Sequence, residues 1–189
     1  MKITLIGSGT RANVIANFDG VFSWIRLPLY KDFLLSHITN KSVVVGRMAF
    51  MNPGFRELLI EAKAKITVLG KEIQEKDPDI RVSRKLEIAL ASASDSHDEV
   101  FVVGGAHLFE QTIKRAHVIW YMQADMDIRE GFSFPKIEPQ IFHKASTMSL
   151  REDLPQPVQI EGRRLIKKPQ SSIVVPVQIQ HWLKRKTKP

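Results

Sequence analysis

The sequence predicts a single α/β domain, a central and mostly parallel sheet with helices on both faces. Three observations carry that expectation. Short apolar runs without a polar face recur along the chain, SVVV at 42–45, ITVL at 66–69 and VFVV at 100–103. Strands read this way when both faces of a parallel sheet are covered. Helical spacing of apolar residues separates the runs, and 189 residues suffice for one proper core but not comfortably for two.

Taken in order, KITLIGS (2–8) reads as a buried strand running into Gly-Ser-Gly. Its single lysine and brief apolar stretch suit a first strand better than a targeting peptide. Residues 9–26 lack sustained periodicity and contain Asn17, Asp19 and Gly20, so a long loop is expected, of the kind that is usually functional. Leu27-Pro28 opens a helix. Phe33, Leu34 and Ile38 recur at helical spacing, and Thr39-Asn40-Lys41 ends it.

SVVV is a strand that stops at Gly46-Arg47. A short helix from Met48 to Met51 and a Pro53-Gly54 turn follow, then the ITVL strand. Beyond the charged linker KEIQEKDPD, residues 84–93 read as a helix. VFVV runs into Gly104-Gly105, residues 107–116 form a helix, and VIWYMQA (118–124) is another strand. Residues 132–134 and the last third, including SSIVVPVQIQHWL, read as further sheet. Pro176 implies an edge strand or a bulge there, because proline cannot donate to a ladder.

Composition narrows the classes. Hydrophobic residues at 43% and charged residues at 25% are ordinary for a globular chain and argue against disorder. The absence of cysteine excludes disulfide scaffolds, cysteine zinc sites and thiol nucleophiles, and fits a reducing, cytoplasmic setting. No apolar run approaches the ~20 residues that span a bilayer.

The formal charge of +8 is uneven. Arg163, Arg164, Lys167, Lys168, Lys184, Arg185, Lys186 and Lys188 have no acid among them and equal the whole excess. The chain therefore divides into a neutral body, 1–162, and a basic extension, 163–189, expected to add an edge strand and a charged tail. Such a tail suits nucleic acid or an acidic partner. Trp182 stands alone as a stacking residue, so a solubilising terminus is the simpler reading.

Three segments then share one family pattern in the right order. They are Trp24 with Leu27-Pro28, a helix and TNKSVVVGR (39–47); VFVVGGAHLFEQ (100–111); and GFSFP (131–135). Together they resemble dihydrofolate reductase across about residues 1–145, which implies that family's fold and NADPH as cofactor. Gly104 and Gly105, between strand and helix, would let a pyrophosphate reach backbone N–H groups. In the family that Gly-Gly peptide is cis. Arg47 falls where the 2′-phosphate is paired, a dianion suited to a guanidinium fork, and Arg84 is a second partner.

By the same resemblance Gly7, Ser8, Val14, Ile15 and Gly20 would cover the nicotinamide. Met48, Ala49, Ala106, His107 and Leu108 flank the phosphate anchors. Leu69 and Gly70 stand where the family often has hydroxyls beside the adenosine phosphate. Ile6, Tyr30, Leu34, Lys63 and Met122 would line the substrate pocket.

The chain departs from the pattern at the substrate. The family's catalytic carboxylate lies two residues beyond the Leu-Pro, and here that residue is Tyr30. Asp32 could serve only if the helix slid by two residues, which turns a side chain by ~200°. Met122 replaces the neighbouring threonine, and Phe109 a tyrosine near the nicotinamide. Changing acid and partner together avoids stranding one buried polar group. Lys63 keeps a charge where the family has an arginine for the substrate's carboxylate, without the bidentate fork.

The expectation is an NADPH-dependent reductase that reduces 7,8-dihydrofolate or a related pterin to the tetrahydro form, as in one-carbon metabolism, with altered efficiency or substrate. The alternative from another class is an inactive structural or interaction module. Reduction of a riboflavin-pathway pyrimidine on a related fold agrees less well with the Leu-Pro helix and GFSFP.

Overall fold

The computed structural model describes residues 1–20, 28–71, 77–154 and 173–186. Trp24, Leu27, Arg163, Arg164, Lys167, Lys168 and Lys188 lie outside them. Among the described residues, no helix is long and apolar enough to cross a membrane.

The chain runs through β1 (Lys2–Thr10), β2 (Val14–Ala16), α1 (Pro28–Ile38), β3 (Ser42–Gly46), α2 (Arg47–Met51), α3 (Pro53–Glu61) and β4 (Lys65–Leu69). It continues with β5 (Arg81–Ser83), α4 (Leu86–Ser94), β6 (Glu99–Val102), α5 (Ala106–Thr112), β7 (Val118–Ala124), β8 (Phe132–Ser133), β9 (Phe142–Leu154) and β10 (Ile173–Lys184). Eight strands form one sheet in the order β5-β4-β3-β6-β1-β7-β10-β9, and β2 pairs with β8 in a small second sheet. Pairings from β5 to β7 are parallel, and β10 is antiparallel to both its neighbours.

Successive strand residues point to opposite faces. Val43, Val44 and Val45 are all buried, as are Ile66 to Val68 and Val100 to Val102, so both faces of these strands are covered. This is the expected α/β architecture.

Some elements differ from expectation. The loop expected from residue 9 gives way to a longer β1 and to β2. The Pro53-Gly54 turn is the start of α3. Asn52 caps that helix, its side-chain oxygen accepting from the Phe55 N–H at 3.2 Å, and Pro53 occupies the first turn, where its missing N–H is harmless. The expected 107–116 helix tightens into a 3-10 turn at Ile113–Arg115. β5 was not foreseen because only three residues pair with β4, two of them exposed.

The basic extension does not add an edge strand. β10 inserts between β7 and β9, and β9 forms the edge. The constraint read from Pro176 is met locally. β7 pairs with β10 only from Val177 to Leu183, so Pro176 lies past its end. Its carbonyl accepts from the Asp125 N–H at 2.8 Å on the β7 side, where its own nitrogen has no strand to donate to. A register shift between His181 and Trp182 adds a bulge.

Candidate functional site

Strand order decides where a ligand can sit. β1 and β3 are consecutive strands of the large sheet in the chain, apart from the short β2, yet β6 lies between them. Crevices in open α/β sheets form at such reversals, beyond the carboxyl ends of the strands. A cleft of about 620 Å³ opens there. It is lined by the ends of β1, β3, β4 and β6, by α2 and α5, and by Tyr30 of α1.

One wall is backbone. The Gly46 N–H donates to the Gly104 carbonyl at 3.0 Å, and the Phe109 N–H to the Gly105 carbonyl at 3.0 Å. A Cβ on Gly104 would lie 2.9 Å from that of Ala49, and Gly105 has φ +92°, a conformation that favours glycine. The Gly104–Gly105 peptide is trans, unlike the cis form the resemblance implied; the turn is made by the positive φ of Gly105.

The outer end of the cleft is positive. Arg47, Arg84 and Lys71 line it, all exposed, and none forms an ion pair among the described residues. The only carboxylate in the described lining is that of Glu110, an exposed residue 3.7 Å from His107 on the same helix.

The inner end is apolar and neutral. Phe109 packs on Phe134 at 4.7 Å between ring centres, and Phe134 on Tyr121 at 4.8 Å. Gly7 has no room for a side chain, since a Cβ would meet the Phe134 ring at 2.5 Å. Tyr30 is 3% exposed, and it lines this end of the cleft together with Ser8. Burial pushes its phenol well above the ordinary range, against the smaller opposing effect of Ser8. Ser8 stands in register with Met122 on β7, which places the two side chains side by side on one sheet face.

Of the residues expected at the cofactor, Gly7, Ser8, Ile15, Gly20, Arg47, Met48, Ala49, Leu69, Gly70, Arg84, Gly104, Gly105, Ala106, His107 and Leu108 line this one cleft. Val14 does not; it is 1% exposed, within the core.

The substrate-side set is divided. Tyr30 reaches the cleft, whereas Ile6, Leu34 and Met122 have no exposed surface and stand in the core rather than in the lining. Lys63 is elsewhere. It ends α3 with φ +50° and borders a second cavity of about 490 Å³ with Ser42, Asp77 and Arg81. That turn directs it away from the cleft. Asp32 is exposed on α1 and lines neither cavity, as its position half a turn from Tyr30 requires.

Sequence reasoning missed Lys71, Phe55 and Phe132 in the lining. Lys71 directly follows Leu69-Gly70 at a strand's carboxyl end, a signal that could have found it. Phe55 was hidden by reading α3 as a turn.

Comparisons with known proteins agree with this geometry. The family model for dihydrofolate reductase matches residues 2–166. A dihydrofolate reductase of Enterococcus faecium is 25% identical over 122 residues, 65% of this chain and 71% of that protein. The structure of dihydrofolate reductase from Enterococcus faecalis, complexed with NADP(H) and RAB-propyl, superposes with a TM-score of 0.71. The match covers 98% of this chain and 97% of that one at 16% identity.

Proposed function

Since this chain belongs to the dihydrofolate reductase family, we propose that it is an NADPH-dependent reductase acting on a pterin-like C=N bond. The observation that carries the reading is the pairing, in one cleft, of a side-chain-free wall at Gly46, Gly104 and Gly105 with three cations that form no ion pair among the described residues. The residues fit the cofactor. Backbone at Gly104-Gly105 can approach a pyrophosphate, as a Cβ-bearing pair could not. Arg47, Arg84 and Lys71 suit the additional phosphate, the two guanidinium groups by fork geometry and the ammonium as a point charge. NADPH, when bound, supplies a hydride.

The chain's own contribution at the inner end is orientation and exclusion of water. Phe109 and Gly7 give a flat, tight wall where two rings must be held face to face, and hydride transfer asks for little beyond that alignment. Tyr30 offers a hydroxyl to the ring and carries no charge at neutral pH. 7,8-Dihydrofolate is the first substrate to try, with slow turnover expected because no carboxylate stands at that end among the described residues.

Fluorescence titration with NADPH, followed by its oxidation with dihydrofolate present, tests the proposal. Binding with turnover supports it, and binding without turnover moves the search to other C=N compounds. A chain that ignores NADPH at millimolar concentration is not a reductase of this kind, and the inactive structural module then stands.

A further inference from the structure

We propose that His37, Trp120 and His181 form an acid-sensitive clasp that fastens α1 to the central sheet, so that acidification loosens the helix which brings Tyr30 to the cleft. The three residues lie outside the cleft lining, and the clasp is independent of the ligand bound there.

Trp120 on β7 stands opposite His181 on β10, and their rings stack at 4.0 Å between centres and 6° between planes. From α1, His37 meets the same indole at 5.0 Å and Phe33 meets it at 6.3 Å, both in edge contact. The helix orients its own histidine. His37 Nδ1 donates to the Phe33 carbonyl at 2.8 Å, and the His37 and Phe33 rings lie 4.6 Å apart. Two imidazoles from distant parts of the chain therefore share one indole. All three rings are half-buried, so water and protons reach them.

A proton added here meets cations. By register Lys2, Trp120, His143 and His181 stand on one face of the sheet, the face on which α1 sets His37 and Phe33. β1 thus contributes Lys2, α1 His37 and β9 His143. Glu99 of β6, the carboxylate beside Lys2, is already engaged by that ammonium at 2.9 Å and by the Thr4 hydroxyl at 2.5 Å. On α1 itself Lys31 pairs with Glu61 of α3 at 2.9 Å.

Burial, followed by the charges of Lys2, His37 and His143, holds the His181 imidazole below its ordinary range, against the attraction of the indole face for a cation. The unfolded chain takes up this proton first. Stability from the clasp is complete above about pH 6.5 and is lost as pH falls from there through the folded value. Each imidazole that gains a proton opposes the next. Phe33, Leu34 and Ile38 keep the apolar side of α1 in the core, so acid loosens the helix rather than expelling it. Tyr30 lies one turn from Phe33 and shares the loosening.

The test is residue-resolved hydrogen exchange of the full chain between about pH 8 and pH 5, read as protection relative to the unstructured rate. Amides of residues 33–38 should lose protection by up to about tenfold for each pH unit below about 6.5, the most that one proton can contribute. His181→Phe keeps a ring against Trp120 that cannot charge, and should remove most of this dependence. His37→Phe should reduce it likewise, and decides the matter if the first variant does not fold. His97→Gln, which alters an imidazole bonded to Ser42 at 2.8 Å and outside the stack, should leave it intact. Protection of α1 that stays flat with pH in the wild type, or that falls equally in the wild type and the phenylalanine variants, overturns the inference. No ligand enters the measurement, so its outcome is separate from that of the cofactor titration.

Discussion

The Gly46 N–H donates to the Gly104 carbonyl at 3.0 Å, closing the ends of β3 and β6 on each other with no side chain between them. A Cβ on Gly46 would lie 3.1 Å from the same oxygen. The cleft wall is thus shaped by what these positions lack.

Gly105→Ala tests that wall. At φ +92° an L side chain is strained, by about 1–3 kcal/mol. The melting temperature should fall by roughly 2–12 °C, and NADPH affinity should fall with it. An alanine variant with unchanged melting and unchanged cofactor binding would show that the glycine is incidental.

Charge at the outer end should discriminate between dinucleotides. Replacing Arg47 or Arg84 by Gln removes a charged donor worth about 1.5–3 kcal/mol, so NADPH should bind roughly 10- to 100-fold more weakly. NADH, which lacks the extra phosphate, should change much less. Lys71→Gln should follow with a smaller effect, since an exposed ammonium is well hydrated. Equal losses for the two cofactors would place these cations away from the phosphate.

The chain's two tyrosines, Tyr30 and Tyr121, are both buried, and burial raises both phenols above the ordinary range. The folded chain therefore favours the un-ionised form. Stability from these groups is complete below about pH 10, where the unfolded chain's phenols begin to ionise, and is lost as pH rises from there through the folded values. Tyrosinate absorbance should appear together with loss of far-ultraviolet circular dichroism. Ionisation near the ordinary value in a chain that is still folded would contradict the burial.

Met122 has no exposed surface and stands in register with Ser8, so its methylenes and sulfur fill core space behind the cleft. Met122→Ala should cost about 2–5 kcal/mol, and Met122→Leu, which nearly conserves volume, less than about 1.5 kcal/mol. Chemical denaturation distinguishes the two. A neutral alanine variant would mean that the side chain is not packed as described.

Much of the positional information was local and therefore legible. Val43 to Val45 announced a strand covered on both faces, and Gly104-Gly105 and Arg47 marked the carboxyl ends where ligands gather. Lys63 was misplaced because a left-handed turn at the end of α3, invisible in residue type, turned it to the other cavity. The edge strand expected of 163–189 lies inside the sheet instead, because β10 depends on partners far away in the chain: β7 must leave a free edge before β10 can enter beside it.

By itself the sequence determined the alternation of strands and helices and the glycines at strand ends. These follow from side-chain period and backbone freedom, which neighbouring residues set. Only the tertiary structure decided that Ser8 and Tyr30 line one cleft, that Lys71 lines it with the two arginines and that Ile6, Leu34 and Met122 withdraw into the core. Those outcomes depend on which strands lie side by side, and that order is settled by burying apolar faces across the whole chain.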